Sequence, residues 1–401
     1  MALRMPTLLL ATQVLSAIAA WLDIFLLFTV PVFVWQCTPA QVAAVASLYG
    51  LPSLVIGPVF GALLDRCDPM TATRCGAVAR VVATIAIAFA PSFPIFAALV
   101  LVKGLANLVF GASSTVLTNT IVEPGRRVRY FADLSALTQL CKIGAPLAAG
   151  WLCLQWPAPR VFLVSAAATA IAAVLFAALA ASAADVRKAR QAARRPLSMW
   201  HDLLDGVRGL RALPPVLQRS IALQLGIACA LALYDPQLAA TLRSLGMAPQ
   251  AFAVVVTATG CGAIVAASCV RLFWRRATAD TLMARGTFAF ALAIAVAAAL
   301  MSLSRMTLPA LVGLWLMNGF GYELLMIGAS VNLQDHTPPH ALGRIATAVR
   351  SLGMSAAVTL PSVGAWLVQS GGLAAPFIGA AALAAGVAAW STHAKAVSAP
   401  A

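Results

Sequence analysis

The chain has 401 residues, 62% of them hydrophobic and 10% charged, with a net charge of +15. A water-soluble domain needs roughly 25% charged residues to cover its surface, so this composition excludes one and makes lipid the solvent for most of the surface. The positive excess does not call for a nucleic-acid partner, because the basic residues sit in short connections between apolar windows, as a positive-inside bias requires.

Twelve apolar windows are long enough to cross hydrocarbon as helices. The first six are Leu8–Val34, Val42–Leu64, Cys75–Ala90, Ile95–Leu117, Phe131–Leu154 and Val161–Ala180. The second six are Ile221–Ala239, Ala251–Val270, Gly286–Leu303, Leu308–Val331, Ile345–Val368 and Leu373–Trp390. One Arg precedes the first window and no cleavage pattern follows it, so that window is expected to stay as a membrane helix. The expected architecture is an all-α membrane protein of twelve transmembrane helices in two pseudo-symmetric six-helix bundles. The first bundle spans 1–184, a linker spans 185–215, and the second bundle spans 216–401.

The linker begins basic and continues as Leu197–Leu213, where Leu197, Trp200, Leu203, Leu204, Val207, Leu210 and Leu213 recur at helical spacing. That pattern suits an amphipathic helix at the inner membrane surface; a plain solvated linker is the alternative. Alternate connections carry most of the basic residues: Arg66 and Arg74, then Arg126, Arg127 and Arg129, then Arg187 to Arg195, Arg271 to Arg285, and Arg344. The others carry only Arg160, Arg243 and Arg305. The first set is expected on the cytoplasmic side of the inner membrane, together with both termini.

The two halves share residues at an offset of 215: Lys103-Gly104 falls on Asn318-Gly319, Arg129 on Arg344, Pro146 on Pro361, and Trp151-Leu152 on Trp366-Leu367. Duplicated halves are a common construction of secondary transporters.

Charges inside the windows point to use, since each costs at least ~2.5–3.5 kcal/mol at the bilayer centre. Asp23 lies in the first window, Lys103 in the fourth, Asp235 in the seventh and Glu323 in the tenth. Pairing of Asp23 with Lys103 to hold the first half together is the structural alternative. Asp235 precedes Pro236, so a helix-end role stands beside a cavity role. Lys142 and Arg350 are weaker candidates, and Asp133 is expected to cap or pair locally. Asn107, Asn318 and Tyr322 sit near these charges in sequence and could offer polar contacts in an otherwise apolar cavity.

The eight cysteines have no C-x-x-C spacing and are expected to pack rather than bind metal. His336 and His340 are four apart, but Pro338 and Pro339 prevent the helix that would align them. No G-x-x-x-x-G-K-[ST] sequence occurs, so ATP-driven transport by this chain alone is not expected; no cofactor is expected, and with no metal-like histidine cluster neither is an enzyme.

Gly61-Ala-Leu-Leu-Asp65-Arg66, followed by Arg74 between the second and third windows, resembles the G-x-x-x-D-R loop of the major facilitator superfamily. Ala145-Pro146-Leu-Ala-Ala149-Gly150 resembles the G-P-x-x-G-G signature of its exporters, with Ala at two of the glycines. Leu204-Asp205-Gly206-Val-Arg208 and Gly343-Arg344 resemble the enterobactin-exporter-like branch. The resemblance implies a monomeric secondary transporter whose first, fourth, seventh and tenth helices line a cavity. It also implies proton antiport that exports a siderophore or drug-like molecule, with proton-linked import of a metabolite as the alternative. Asp23, Lys103, Asn107, Asp235, Asn318, Tyr322 and Glu323 then become the cavity set, with Glu323 the first candidate for proton carrier and Asp23 the second. Asp65, Arg66, Arg74, Arg129 and Arg344 become the gating set. A carboxylate at Asp65 could accept the amides at the start of helix 11; the alternative is an ordinary charged loop.

Overall fold

The computed structural model describes residues 4–57, 69–122, 127–182, 213–274, 276–337 and 339–398. Within them the chain is helical. The first six helices are α1 (Arg4–Thr29), α2 (Pro39–Val55), α3 (Pro69–Ala88), α4 (Phe93–Ile121), α5 (Arg127–Gln155) and α6 (Ala158–Ser182). The next six are α7 (Pro215–Tyr234), α8 (Pro249–Leu272), α9 (Ala279–Ser302), α10 (Leu308–His336), α11 (Pro339–Gly371) and α12 (Ala375–Ser398). Among the described residues, ten helical spans are long and apolar enough to cross a membrane, and Pro39–Val55 and Ala375–Ser391 are shorter apolar helices. Large apolar side chains stand exposed on the helices, among them Val82, Trp151, Val174, Phe288 and Trp366. Lipid accepts such a surface and water does not. The linker helix expected over Leu197–Leu213 lies outside the described residues, apart from its last residue.

Proline marks where several helices begin. It occupies the first turn of α4, α7, α8 and α10, where its missing N–H has no intrahelical acceptor to lose. Thr278 caps α9 by accepting the Thr281 amide. Pro52, Pro146 and Pro361 sit within unbroken helices, but two other prolines interrupt a span. At Pro31 the end of α1 widens into a π turn over Val30–Val34, closed by the Trp35 amide on the Val30 carbonyl. A residue without an N–H cannot continue the i to i−4 ladder, and the slip to i−5 accommodates it. Pro236 does the same to α7, which gives way to a 3-10 turn over Asp235–Gln237 before helix resumes over Leu238–Ser244.

The chain forms two compact units. One comprises Met1–Gln36 and Leu48–Trp200, the other Cys37–Ser47 and His201–Ala401. In the first unit α1 packs on α5 and α6, and α3 on α4 and α6. In the second unit α7 packs on α11 and α12, and α9 on α10 and α12. Each pairing of the first unit thus recurs six helices later. Aromatic rings fill the second core, where Tyr234, Trp315 and Phe377 join α7, α10 and α12 at centroid separations of 5.2–6.1 Å.

Two glycines at the 215-residue offset do the same work in their own units. A Cβ on Gly104 of α4 would strike the Tyr49 carbonyl of α2, and one on Gly319 of α10 would strike the Thr259 carbonyl of α8. Both helix pairs approach backbone to backbone, as small residues permit in membranes. Gly319→Ala is therefore expected to destabilise the protein by about 1–3 kcal/mol through forced backbone displacement. Gly313→Ala, where a Cβ meets nothing within 4 Å, is expected to be neutral or slightly stabilising. Thermal unfolding of the two purified variants checks this; equal midpoints would refute it.

Candidate functional site

The first unit gathers its polar residues around Asp23. Asp23 on α1 and Lys103 on α4 are both fully buried, with Lys103 Nζ 2.7 Å from Asp23 Oδ2. The Ser165 hydroxyl of α6 donates to Asp23 Oδ1 at 2.6 Å. Lys103 also donates to Thr84 of α3, whose hydroxyl in turn donates to the Arg80 carbonyl at 2.6 Å. Four helices meet in this network. The pairing of Asp23 with Lys103 is the structural alternative that the sequence left open.

Arg80 was not singled out by the sequence reading. It lies on α3 at 3% exposure, its guanidinium 4.7 Å above the Phe110 ring and within the electrostatic reach of Asp23. Among the described residues, Lys103 and Arg80 against Asp23 leave one positive charge in excess. The available signal was an Arg in the middle of the third apolar window. Asn107 does not join the ion pair; its amide donates to the Tyr49 hydroxyl at 2.8 Å. Lys142 stacks over Trp21 at 5.3 Å, and Asp133 is exposed.

In the second unit the residue at the offset position takes a neutral partner. Asn318 on α10 is 2% exposed and donates to the Tyr234 hydroxyl of α7 at 2.9 Å. Position 103 thus reaches from α4 to α1, and position 318 from α10 to α7. The rings beside them, Phe162 and Phe377, stand at the same offset: Lys103 lies 5.9 Å from the first and Tyr234 5.2 Å from the second. Tyr322 and Glu323 follow on α10, both half-buried. Asp235 is exposed at the break of α7, in a helix-end position. The charges of Glu323 and Asp235 both reach Tyr322, so these three belong to one electrostatic neighbourhood.

Of the gating set, Asp65 and Arg66 lie outside the described residues, as do the side chains of Arg129 and Arg344. Arg74 on α3 is half-buried and donates to the Ala177 carbonyl of α6 at 3.2 Å. The second unit supplies an ion pair that the sequence reading missed, Arg219 of α7 with Asp280 of α9. Asn332 of α10 donates to the same carboxylate at 3.4 Å. Asp280 stands 215 residues after Asp65, a coincidence that could have exposed it. Among the described residues no cluster of His, Cys, Asp and Glu could hold a metal ion.

Removing one partner of a buried ion pair strands the other. Asp23→Asn is expected to cost about 3–5 kcal/mol of stability, and Asp23→Asn with Lys103→Met to recover most of it. Unfolding of both variants in detergent measures this. A double variant no more stable than the single one would show that the pair is not the stabilising contact.

The family profile described as Major Facilitator Superfamily matches residues 9–234. The uncharacterized MFS-type transporter YfiS of Bacillus subtilis (strain 168) is 24% identical over 375 residues, covering 92% of this chain and 87% of that protein. Among solved structures, the nucleoside transporter NupG superposes with a TM-score of 0.72 at 13% identity, over 98% of this chain and 99% of that one. A bacterial homologue of the iron transporter ferroportin, in an inward-facing state, gives 0.72 at 16% identity over 97% and 99%. A POT family transporter in complex with 5-aminolevulinic acid gives 0.75 at 11% identity over 97% and 96%. At these identities the structures establish likeness of fold alone.

Proposed function

The chain belongs to the Major Facilitator Superfamily and is a multi-pass membrane transporter, and from that premise we propose that it exports a small organic molecule in exchange for protons. The observation that carries this reading is the neighbourhood of Asp235, Tyr322 and Glu323 in the second unit. Ionisable residues inside a membrane span mark ion and proton pathways. Glu323, half-buried on α10, is placed by chemistry to take up and release a proton. Asp23 is a poorer carrier because Lys103 and Ser165 already hold both of its oxygens.

Proteins of this fold include a nucleoside transporter, a homologue of an iron transporter and a POT family transporter in complex with 5-aminolevulinic acid, so the fold leaves the substrate to the side chains. The helix-5 and linker resemblances support a siderophore or drug-like compound, carried by alternating access in an inner membrane with both termini cytoplasmic. Twelve spans in two related bundles suit that mechanism. Within it, Asp65, Arg66, Arg74, Arg129 and Arg344 act at the cytoplasmic mouth, and Asp65→Asn lowers flux with little loss of folded protein.

Proteoliposomes with an imposed proton gradient test the reading, with a radiolabelled catecholate siderophore and a fluorescent drug-like dye as probes. The wild type is expected to accumulate one of them in inverted vesicles. Glu323→Gln, which mimics the protonated acid, is expected to reduce proton-driven flux to the leak rate while retaining binding. Wild-type flux in that variant would place the carrier elsewhere, and accumulation only in right-side-out vesicles would favour import.

A further inference from the structure

We propose that Arg80 recognises an acidic group on the transported solute, which is therefore an organic anion. The proposal rests on the transporter reading and names its substrate class. Two cations, Lys103 and Arg80, share one carboxylate, Asp23, in surroundings where all three are at most 3% exposed. An uncompensated buried charge is expensive, so the cluster gains by completing itself with an anion. Lys103 is engaged, with Asp23 and Thr84 as its partners. Arg80 is not: its buried Nε has no hydrogen-bond partner.

The surroundings suit a carboxylate on an aromatic or apolar body. The guanidinium is planar and lies over the Phe110 ring, an arrangement that leaves its edge to donate. Tyr49, within the electrostatic reach of Arg80, accepts the Asn107 amide, so its own proton is available to an anion. Tyr49 and Asn107 are half-buried, and an acidic group would approach the cluster past them. The second unit has no counterpart to this charge at position 318, where Asn meets Tyr234. The duplicated position is thus charged in one unit and neutral in the other, as expected when one unit handles the acidic end of the solute.

A free inorganic anion could supply the same charge, and the test separates the two. Thermal unfolding of the full chain in detergent is followed with sodium benzoate, benzamide and sodium chloride at equal concentrations. Benzoate is expected to raise the midpoint by about 2 °C at ten times its Kd, while benzamide and chloride leave it unchanged. Arg80→Gln is expected to abolish the shift. If Arg80→Gln does not fold, Arg80→Lys carries the test, and its half-saturating benzoate concentration should rise about tenfold with the loss of one charge-assisted bond. The proposal is overturned by no benzoate shift in the wild type, by an equal shift from benzamide or chloride, or by undiminished benzoate affinity in the Arg80 variants. Binding is read here without flux, so its failure leaves the transporter reading standing. Benzoate binding without any flux in proteoliposomes would count against that reading instead.

Discussion

Asp23 joins four helices because a carboxylate without water must find all of its partners in protein. Lys103 reaches it from α4, Ser165 from α6, and Lys103 ties in Thr84 of α3. Hydrophobic burial cannot hold these helices in register, since lipid tails are as apolar as their side chains. The polar network supplies the direction that apolar packing lacks: shifting any of the four helices by a turn would break a bond that no solvent could replace. Arg80 is drawn into the same field, and its charge is what the network leaves unbalanced.

The second unit meets the same constraint with neutral groups. Asn318 and Tyr234 bond between α10 and α7 as Lys103 and Asp23 do between α4 and α1. One residue further on, Gly104 and Gly319 each admit a neighbouring backbone. The repeat therefore keeps the glycine and the helix pairing, while the lysine of the ion pair becomes an amide that takes a phenol from a different position of its partner helix. Such divergence is what a duplicated scaffold allows when only one copy of a position must carry charge.

Interrupted helices are the other common feature. Pro31 ends α1 in a π turn, and Pro236 breaks α7 at Asp235. In each case the missing N–H frees a carbonyl and removes one rung, which is tolerable in a membrane only where the backbone finds another partner. The turns that follow close on bonds of their own, the Trp35 amide on the Val30 carbonyl and the Leu238 amide on the Asp235 carbonyl. These breaks also set Asp235 at the end of α7 rather than within it, exposed yet close enough to act on Tyr322.

Much of the fold was legible in the sequence because the membrane restricts the choices. Apolar windows of spanning length must be helices, and a charge within one must have a use or a partner. That logic singled out Asp23, Lys103, Asp235 and Glu323 from their positions alone, and packing pairs the first two. The repeat at 215 residues pointed to the glycines that meet carbonyls, though not to the reason for them. What the sequence could not supply was which side chains share a partner. Arg80 is an arginine within an apolar window with no evident partner until α3 packs on α4 and brings it over Phe110. Thr84 and Ser165 are ordinary hydroxyls until Lys103 and Asp23 arrive from other helices. Arg219 and Asp280 are 61 residues apart and meet only when α7 and the start of α9 lie side by side. Sequence pattern determines that a helix forms and which of its residues lipid will not tolerate alone. Tertiary packing decides who satisfies them, because hydrogen bonds act over 3 Å and sequence separation carries no information at that range.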